Sequence, residues 1–214
     1  NKLLLDMQKH EQENIDALIV VDNGSTDGTK AGLREWKSQW RNAEYDVLRQ
    51  SKNVGFTLGA NAGLGLACET SGEDSDIVFL ISNDVRITGK FIQQAKDILL
   101  SPQNYLVGHK LLANDTGWNK FGDKIFPYLE GYFLAATARG WEELGFFDKA
   151  YAPFDYEDMD LSTTARKLGY KLTPLNNPAI VHQGGGTLGY NPEREAITRR
   201  NQEYFRKKWV GKNG

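Results

Sequence analysis

The sequence predicts an α/β fold with a mostly parallel central sheet flanked by helices, on three observations. Residues 17–21 (Ala-Leu-Ile-Val-Val) and 77–81 (Ile-Val-Phe-Leu-Ile) are continuous apolar runs, as in strands buried on both faces. Segments with helical spacing alternate with such runs along the chain, which is how a sheet with crossover helices reads. Finally, Asp22, Asp84 and His182 each follow an apolar run. Open α/β sheets bind ligands at those carboxyl ends of strands.

Taken in order, residues 3–10 read as an amphipathic helix. The first strand, 17–21, ends in Asp22-Asn23-Gly24-Ser25-Thr26-Asp27-Gly28-Thr29, a turn rich in helix-capping residues. A helix through Trp36 and Trp40 should follow, then a short strand at 45–48. Residues 58–68 read as a helix despite Gly59, Gly63 and Gly65. Glycines weaken a helix, so these predict close packing on another element. Strand 77–81 runs into Ser82-Asn83-Asp84-Val85, and a helix at 90–100 stops before Pro102. A strand at 105–108 leads to a polar, aromatic stretch at 112–128, read as a long surface loop of the kind that often carries function. A strand at 132–137 and a short helix at 139–144 come next.

Residues 154–161 (Phe-Asp-Tyr-Glu-Asp-Met-Asp-Leu) place four carboxylates within six positions. Leu161, Ala165 and Leu168 recur at helical spacing and Gly169 marks the stop. Asp155 is expected to cap this helix, with Glu157 and Asp158 in its first turn, where the helix dipole favours carboxylates. Capping alone explains such a cluster. So does a general base at the edge of a cleft, and the other motifs must decide. Short extended pieces at 171–173 and 179–181 follow, the second entering His182-Gln183-Gly184-Gly185-Gly186-Thr187. A basic amphipathic helix at 193–209 closes the chain. No linker divides the 214 residues, which read as one domain in three stretches, 1–110, 111–190 and a basic tail at 191–214.

Composition is that of a soluble globular protein, with 40% hydrophobic and 25% charged residues. A net charge of −2 supplies no global field for nucleic acid or membrane. The single cysteine, Cys68, excludes an internal disulfide framework and a Cys-based zinc site, and fits a cytoplasmic protein. No apolar run approaches the ~20 residues of a membrane span. The tail carries Arg194, Arg199, Arg200, Arg206, Lys207, Lys208 and Lys212, with Ile197, Tyr204, Phe205 and Trp209 near one face. This is a helix packed on the domain with a solvated basic face. The sharper alternative is a weak peripheral contact with a membrane surface.

Each strand-end polar group has a plain reading as a turn former and a chemical one. Asp22 is suited to accept a hydrogen bond from a nucleotide base or ribose, although no Gly-x-Gly-x-x-Gly or Walker A sequence is present. Asp84 is suited to a divalent cation that also holds phosphates. His182, alone, is an ordinary structural histidine, but it lies at an equivalent strand end.

Several of these segments resemble those of family 2 glycosyltransferases. Val20-Val21-Asp22-Asn23-Gly24-Ser25-Thr26-Asp27-Gly28-Thr29 is similar to the first signature of that family, and Asn53-Val54-Gly55-Phe56 with Ala60-Asn61-Ala62-Gly63 to the second. Asn83-Asp84 resembles the Asp-x-Asp metal motif, with Ser82 where its first aspartate often sits. Gly145-Phe146-Phe147-Asp148 resembles the lead-in to the acidic motif Glu157-Asp158-Met159-Asp160-Leu161, with Arg166 and Gly169 following. His182 matches a late metal histidine. The resemblance spans residues 19–209 and is nearest to bacterial rhamnosyl- and galactofuranosyl-type members, enzymes of polysaccharide and cell-wall synthesis.

The resemblance implies a Rossmann-like fold of the GT-A type, with a further first strand ahead of Asn1. It implies inverting transfer of a sugar from a nucleotide diphosphate donor, UDP- or dTDP-linked, to a glycan or lipid-linked acceptor; the overall charge and the absence of a recognisable motif disfavour nucleic acid as a partner. Residues 1–110 would form the nucleotide-binding half and 111–190 the acceptor and catalytic half, and Asp22, Lys52 and Asn53 would line the nucleotide pocket. Asp84 and His182 would hold Mn2+ or Mg2+. Asp158 would be the general base, supported by Glu157. A non-catalytic sugar-binding domain and a sugar nucleotidyltransferase are the alternatives.

Overall fold

A computed structural model of the chain describes residues 2–40, 43–184 and 192–211. The order is α1 (Lys2–Glu11), β1 (Ala17–Asp22), α2 (Thr29–Lys37), β2 (Glu44–Arg49), α3 (Phe56–Thr70), β3 (Ile77–Ile81), β4 (Val85–Ile87), α4 (Ile92–Leu99) and β5 (Tyr105–Gly108). Short strands β6 (Leu111–Leu112), β7 (Lys120–Phe121), β8 (Lys124–Ile125) and β9 (Tyr128–Leu129) follow. Then come β10 (Phe133–Thr137), α5 (Ala138–Leu144), α6 (Glu157–Lys167), β11 (Lys171–Pro174), β12 (Ile180–His182) and α7 (Pro192–Phe205), which continues into a π-helical turn at Arg206–Val210. The stretch at 112–128, expected as a loop, instead forms two small antiparallel pairs, β6 with β9 and β7 with β8.

The centre is a four-stranded sheet in the order β11-β5-β10-β3. β10 is antiparallel to both neighbours, whereas β5 pairs β11, and β1 pairs β2, in parallel. The α/β class therefore holds, but strand directions are mixed rather than mostly parallel. A strand buried on both faces reads the same in either direction, so its apolar run does not encode polarity. β10 shows this: Phe133 and Ala135 pack with Phe91, Ile92 and Leu99 on one face, while Leu134 and Ala136 pack with Leu64, Trp141 and Leu161 on the other. The period-2 alternation puts a helical layer on each side of one strand.

The helix glycines divide. A Cβ on Gly63 would lie 2.6 Å from Val21 Cγ2, and one on Gly59 would lie 3.4 Å from Asn23 Nδ2, so α3 sits close on β1 and the turn after it, as expected. At Gly65 nothing lies within 4 Å, so no packing explains it. We expect opposite signs from one substitution at the two positions. Gly65→Ala should stabilise by up to about 1 kcal/mol through helix propensity. Gly63→Ala should destabilise by roughly 1–3 kcal/mol through overpacking against the stiff Val21 side chain. Urea denaturation of both variants checks this, and equal midpoints would remove the packing account.

Candidate active site

The first part of the site is made by two turns pressed together. A Cβ on Gly24, whose φ is +77°, would lie 2.5 Å from the Lys52 carbonyl carbon, so the turn after β1 touches the 52–55 backbone directly. Asn23 sews the contact: its Oδ1 accepts from Val54 N at 3.0 Å, and its Nδ2 donates to Gly55 O at 3.0 Å and Asn53 Oδ1 at 3.1 Å. Lys52 and Asn53 are exposed beside this junction.

Asp22 is buried here and its carboxylate is engaged by protein. Oδ1 accepts from Ser25 N at 2.9 Å, and Oδ2 pairs with the Arg49 guanidinium, which also donates to Ser25 O at 2.7 Å. Burial is the largest influence and would raise its pKa, but the Ser25 hydrogen bonds and Arg49 together hold it below the usual carboxylate range. Asp22 and Arg49 are register partners across the parallel β1–β2 pair. Sequence reading missed Arg49 because its signal is a register, which only the paired strands reveal.

The second part is the juxtaposition of Asp84 and His182. Asp84 does not end β3; it lies in the turn to β4, closed by Val85 N donating to Ser82 O at 3.1 Å. β12 pairs antiparallel with β4, setting His182 opposite Val85, and Gln183 N donates to Asp84 O at 3.1 Å. This brings His182 Nε2 to 3.3 Å from Asp84 Oδ2, with the two side chains 30% and 27% exposed. Adjacent ligands of an octahedral ion about 2.1 Å away lie roughly 3 Å apart, so this oxygen and nitrogen pair fits one edge of a Mg2+ or Mn2+ shell. Among the described residues no group of three or more His, Cys, Asp or Glu gathers for a metal. The tract Gly185-Gly186-Thr187 beyond lies outside the described residues.

The third part is the start of α6. Asp158 Oδ2 accepts from Gly131 N at 3.0 Å and Oδ1 from Met159 N at 2.8 Å. Its partly exposed carboxyl is crowded by protein. Burial, with Asp155 and Glu130 nearby, outweighs the two hydrogen bonds and raises its pKa to about 6. Glu157 is buried, and its Oε2 has no hydrogen-bond partner among the described residues. Burial first, then the Asp158 charge, raises its pKa well above the ordinary value. Both neighbouring carboxyls therefore resist ionisation.

Asp155 does not cap α6, contrary to expectation. Asp155 and Tyr156 adopt left-handed conformations, with φ of 71° and 74°, and Tyr156 takes the N-cap position without a side-chain cap. The Asp155 carboxylate instead accepts from Thr198 Oγ1 at 2.5 Å and pairs with Arg194 at 3.4 Å, both in α7. The fully buried Asn201 donates to the carbonyls of Tyr151, Phe154 and Asp155 at 2.7, 2.7 and 2.9 Å. Asp160 turns away from the site and is held by Tyr151 OH, Lys208 Nζ and Trp209 Nε1 at 2.7–2.9 Å. The tail helix is thus a clamp on the acidic motif, as the packed-helix reading expects.

The parts are joined through Gly131 and Tyr132. Gly131 N holds Asp158, while the Tyr132 ring stacks on His182 with centroids 3.8 Å apart and planes 15° from parallel. Consecutive Cα atoms are 3.8 Å apart, so Asp158 and the Asp84–His182 pair flank one short piece of backbone. The nucleotide-side turn is tied in separately: Thr57 N donates to Pro153 O at 3.1 Å, and a Cβ on Gly55 would lie 2.3 Å from Pro153 Cβ.

A sheet covered by helices on both faces, with an aspartate–histidine pair and a hard-to-ionise carboxyl pair beside it, defines an α/β protein. The chain belongs to glycosyl transferase family 2, whose family model matches residues 5–164. No curated protein matches it in sequence. Among solved structures it is similar to the mannosyltransferase PcManGT from Pyrobaculum calidifontis, solved with GDP-Man and Mn2+, at 20% identity and a TM-score of 0.56, over 80% of this chain and 49% of that one. It is also similar to GalNAc-T7, solved with UDP, GalNAc and Mn2+, at 12% identity and a TM-score of 0.63, over 79% of this chain and 38% of that one. The chain therefore spans about half the length of the first and less of the second, and shares their GT-A fold. No described helix is long and apolar enough to cross a membrane.

Proposed function

We propose that this chain transfers a sugar, with inversion, from a nucleotide diphosphate donor to a hydroxyl of a glycan or lipid-linked saccharide. The observation that carries this is the Gly131–Tyr132 joint, which sets Asp158 and the Asp84–His182 pair on one edge of the fold. Asp158 takes the acceptor proton. Its carboxyl, at about 6, is ionised near neutral pH yet basic enough to accept a proton in the transition state. Glu157, buried with its Oε2 unpartnered among the described residues, supports it or touches the acceptor. Asp84 and His182 would hold Mn2+ or Mg2+, which would supply neutralisation of the charge on the departing diphosphate. Lys52, Asn53 and the turn built around Asp22 line the nucleotide side. The Asp22 side chain, 1% exposed and held by Ser25 and Arg49, shapes this turn from within.

UDP- or dTDP-linked sugars, of the rhamnosyl or galactofuranosyl type, belong to this reading as donors to test. Trp118, 57% exposed and tied through its carbonyl to Tyr156 OH at 3.2 Å, is a contact to test for the acceptor. A cytoplasmic location, with weak contact of the tail at a membrane surface, completes it for a lipid-linked acceptor. Arg199 and Arg206 are already paired with Glu195 and Glu203, and Lys208 with Asp148 and Asp160, so any such contact is weak; pelleting with anionic vesicles tests it, and no binding rejects it.

A thermal-shift screen of nucleotide sugars, with and without Mn2+, tests the class. One donor should raise the melting temperature only when the cation is present. Asp84→Ala and His182→Ala should each weaken Mn2+-dependent binding of that donor at least about tenfold by calorimetry. Unchanged affinity in both variants would contradict the cation assignment.

A further inference from the structure

We infer that Tyr132 is the positioning residue of the Asp84–His182 pair, fixing one partner through its backbone and the other through its ring. This rests on the cation reading above. The Tyr132 carbonyl accepts from Ser82 N at 2.8 Å and so anchors the turn that presents Asp84. The Tyr132 ring lies flat on the His182 imidazole, 3.8 Å between centroids and 15° from parallel. The hydroxyl is tied in turn to Nδ1 of His109 at 2.7 Å, and both residues are buried, at 8% and 6% exposure. The His109 ring meets Tyr132 edge-on at 5.8 Å, so it restrains the tyrosine without touching the face that His182 uses.

The physical need is clear from the fold. β12 is three residues long and pairs only with the three-residue β4, and neither belongs to the four-stranded sheet. A side chain on so short a strand keeps its rotamer only if a neighbour restrains it. A flat aromatic face restrains ring rotation about the last torsion of histidine, which is otherwise broad. With the ring fixed, Nε2 stays aimed at Asp84 Oδ2, and a cation finds both donors already oriented. Groups that orient a metal ligand in this way are typically worth about 10–100-fold in metal affinity.

The test is Mn2+ alone, titrated into the protein while the electron paramagnetic resonance signal of the free ion is followed. His182→Ala should weaken binding at least about tenfold, and Tyr132→Leu, which fills the space without a flat face, about tenfold. Tyr132→Phe keeps the ring and should restore affinity to within about threefold of wild type. If His182→Ala binds as wild type, the cation reading itself fails. If His182→Ala weakens binding while Tyr132→Leu binds as wild type, or Tyr132→Phe is as weak as Tyr132→Leu, the inference is overturned and the cation reading stands. Should Tyr132→Leu fail to fold by circular dichroism, Tyr132→Met takes its place. It likewise removes the flat face and should weaken Mn2+ binding about tenfold, and wild-type affinity there overturns the inference.

Discussion

Asp158→Asn should lower the rate of sugar transfer by about 10²–10⁴-fold while donor affinity stays near wild type. The amide keeps the size and the position held by Gly131 and Met159 but cannot take a proton. Its effect on stability should be small, because removing a charge that burial disfavours offsets the loss of one acceptor for a backbone N–H. A large kinetic loss with an unchanged melting temperature therefore identifies chemistry rather than damage. In the wild type the same carboxyl predicts a pH profile. The base form accumulates above about 6, so transfer should rise through that pH and level off above it. Stability follows the opposite course. A carboxyl whose folded pKa is raised binds its proton more tightly in the native state. Its contribution is greatest at low pH and declines as pH rises from the unfolded value, 3.8, through about 6. Turnover of Asp158→Asn at the wild-type rate would remove Asp158 as the base.

Asn201→Leu should cost about 3 kcal/mol of stability, from a residue that touches no proposed ligand. The substitution keeps the volume but leaves the carbonyls of Tyr151, Phe154 and Asp155 without their shared donor. These carbonyls flank Asp155 and Tyr156, whose left-handed backbones each cost roughly 1–2 kcal/mol in a non-glycine residue. Once the donor is gone, that turn can relax, and it is the turn that aims Glu157 and Asp158. We expect a melting temperature lower by roughly 5–10 °C. In the fraction that remains folded, kcat should fall more than KM for the donor changes, because aim is lost rather than nucleotide contacts. An unchanged melting temperature would show that the tail helix does not hold the acidic motif.

Local chemistry made much of this readable in advance. The ends of β3 and β5 coincide with the apolar runs at 77–81 and 105–108, because a buried strand must be apolar throughout and a turn must not be. α2 stops at Lys37, short of the Trp40 assigned to it, and buried Trp40 packs from the turn instead. An aromatic near helical spacing does not reveal whether the backbone is still helical when it arrives. The misplaced cap at Asp155 has a similar origin. Capping propensity is local, whereas the pull of Thr198 and Arg194 comes from 39 or more positions away.

The sequence by itself determined the α/β class, the places where strands end in polar groups, and the residue types able to bind a cation or take a proton. Those follow from periodicity and side-chain chemistry, which act over a few residues. Only the tertiary structure decided that Asp84 and His182 meet across β4 and β12, that Arg49 occupies Asp22, and that Gly131 and Tyr132 join the acid to that pair. Each of these depends on strand register and on contacts between distant segments, and a linear pattern leaves both open.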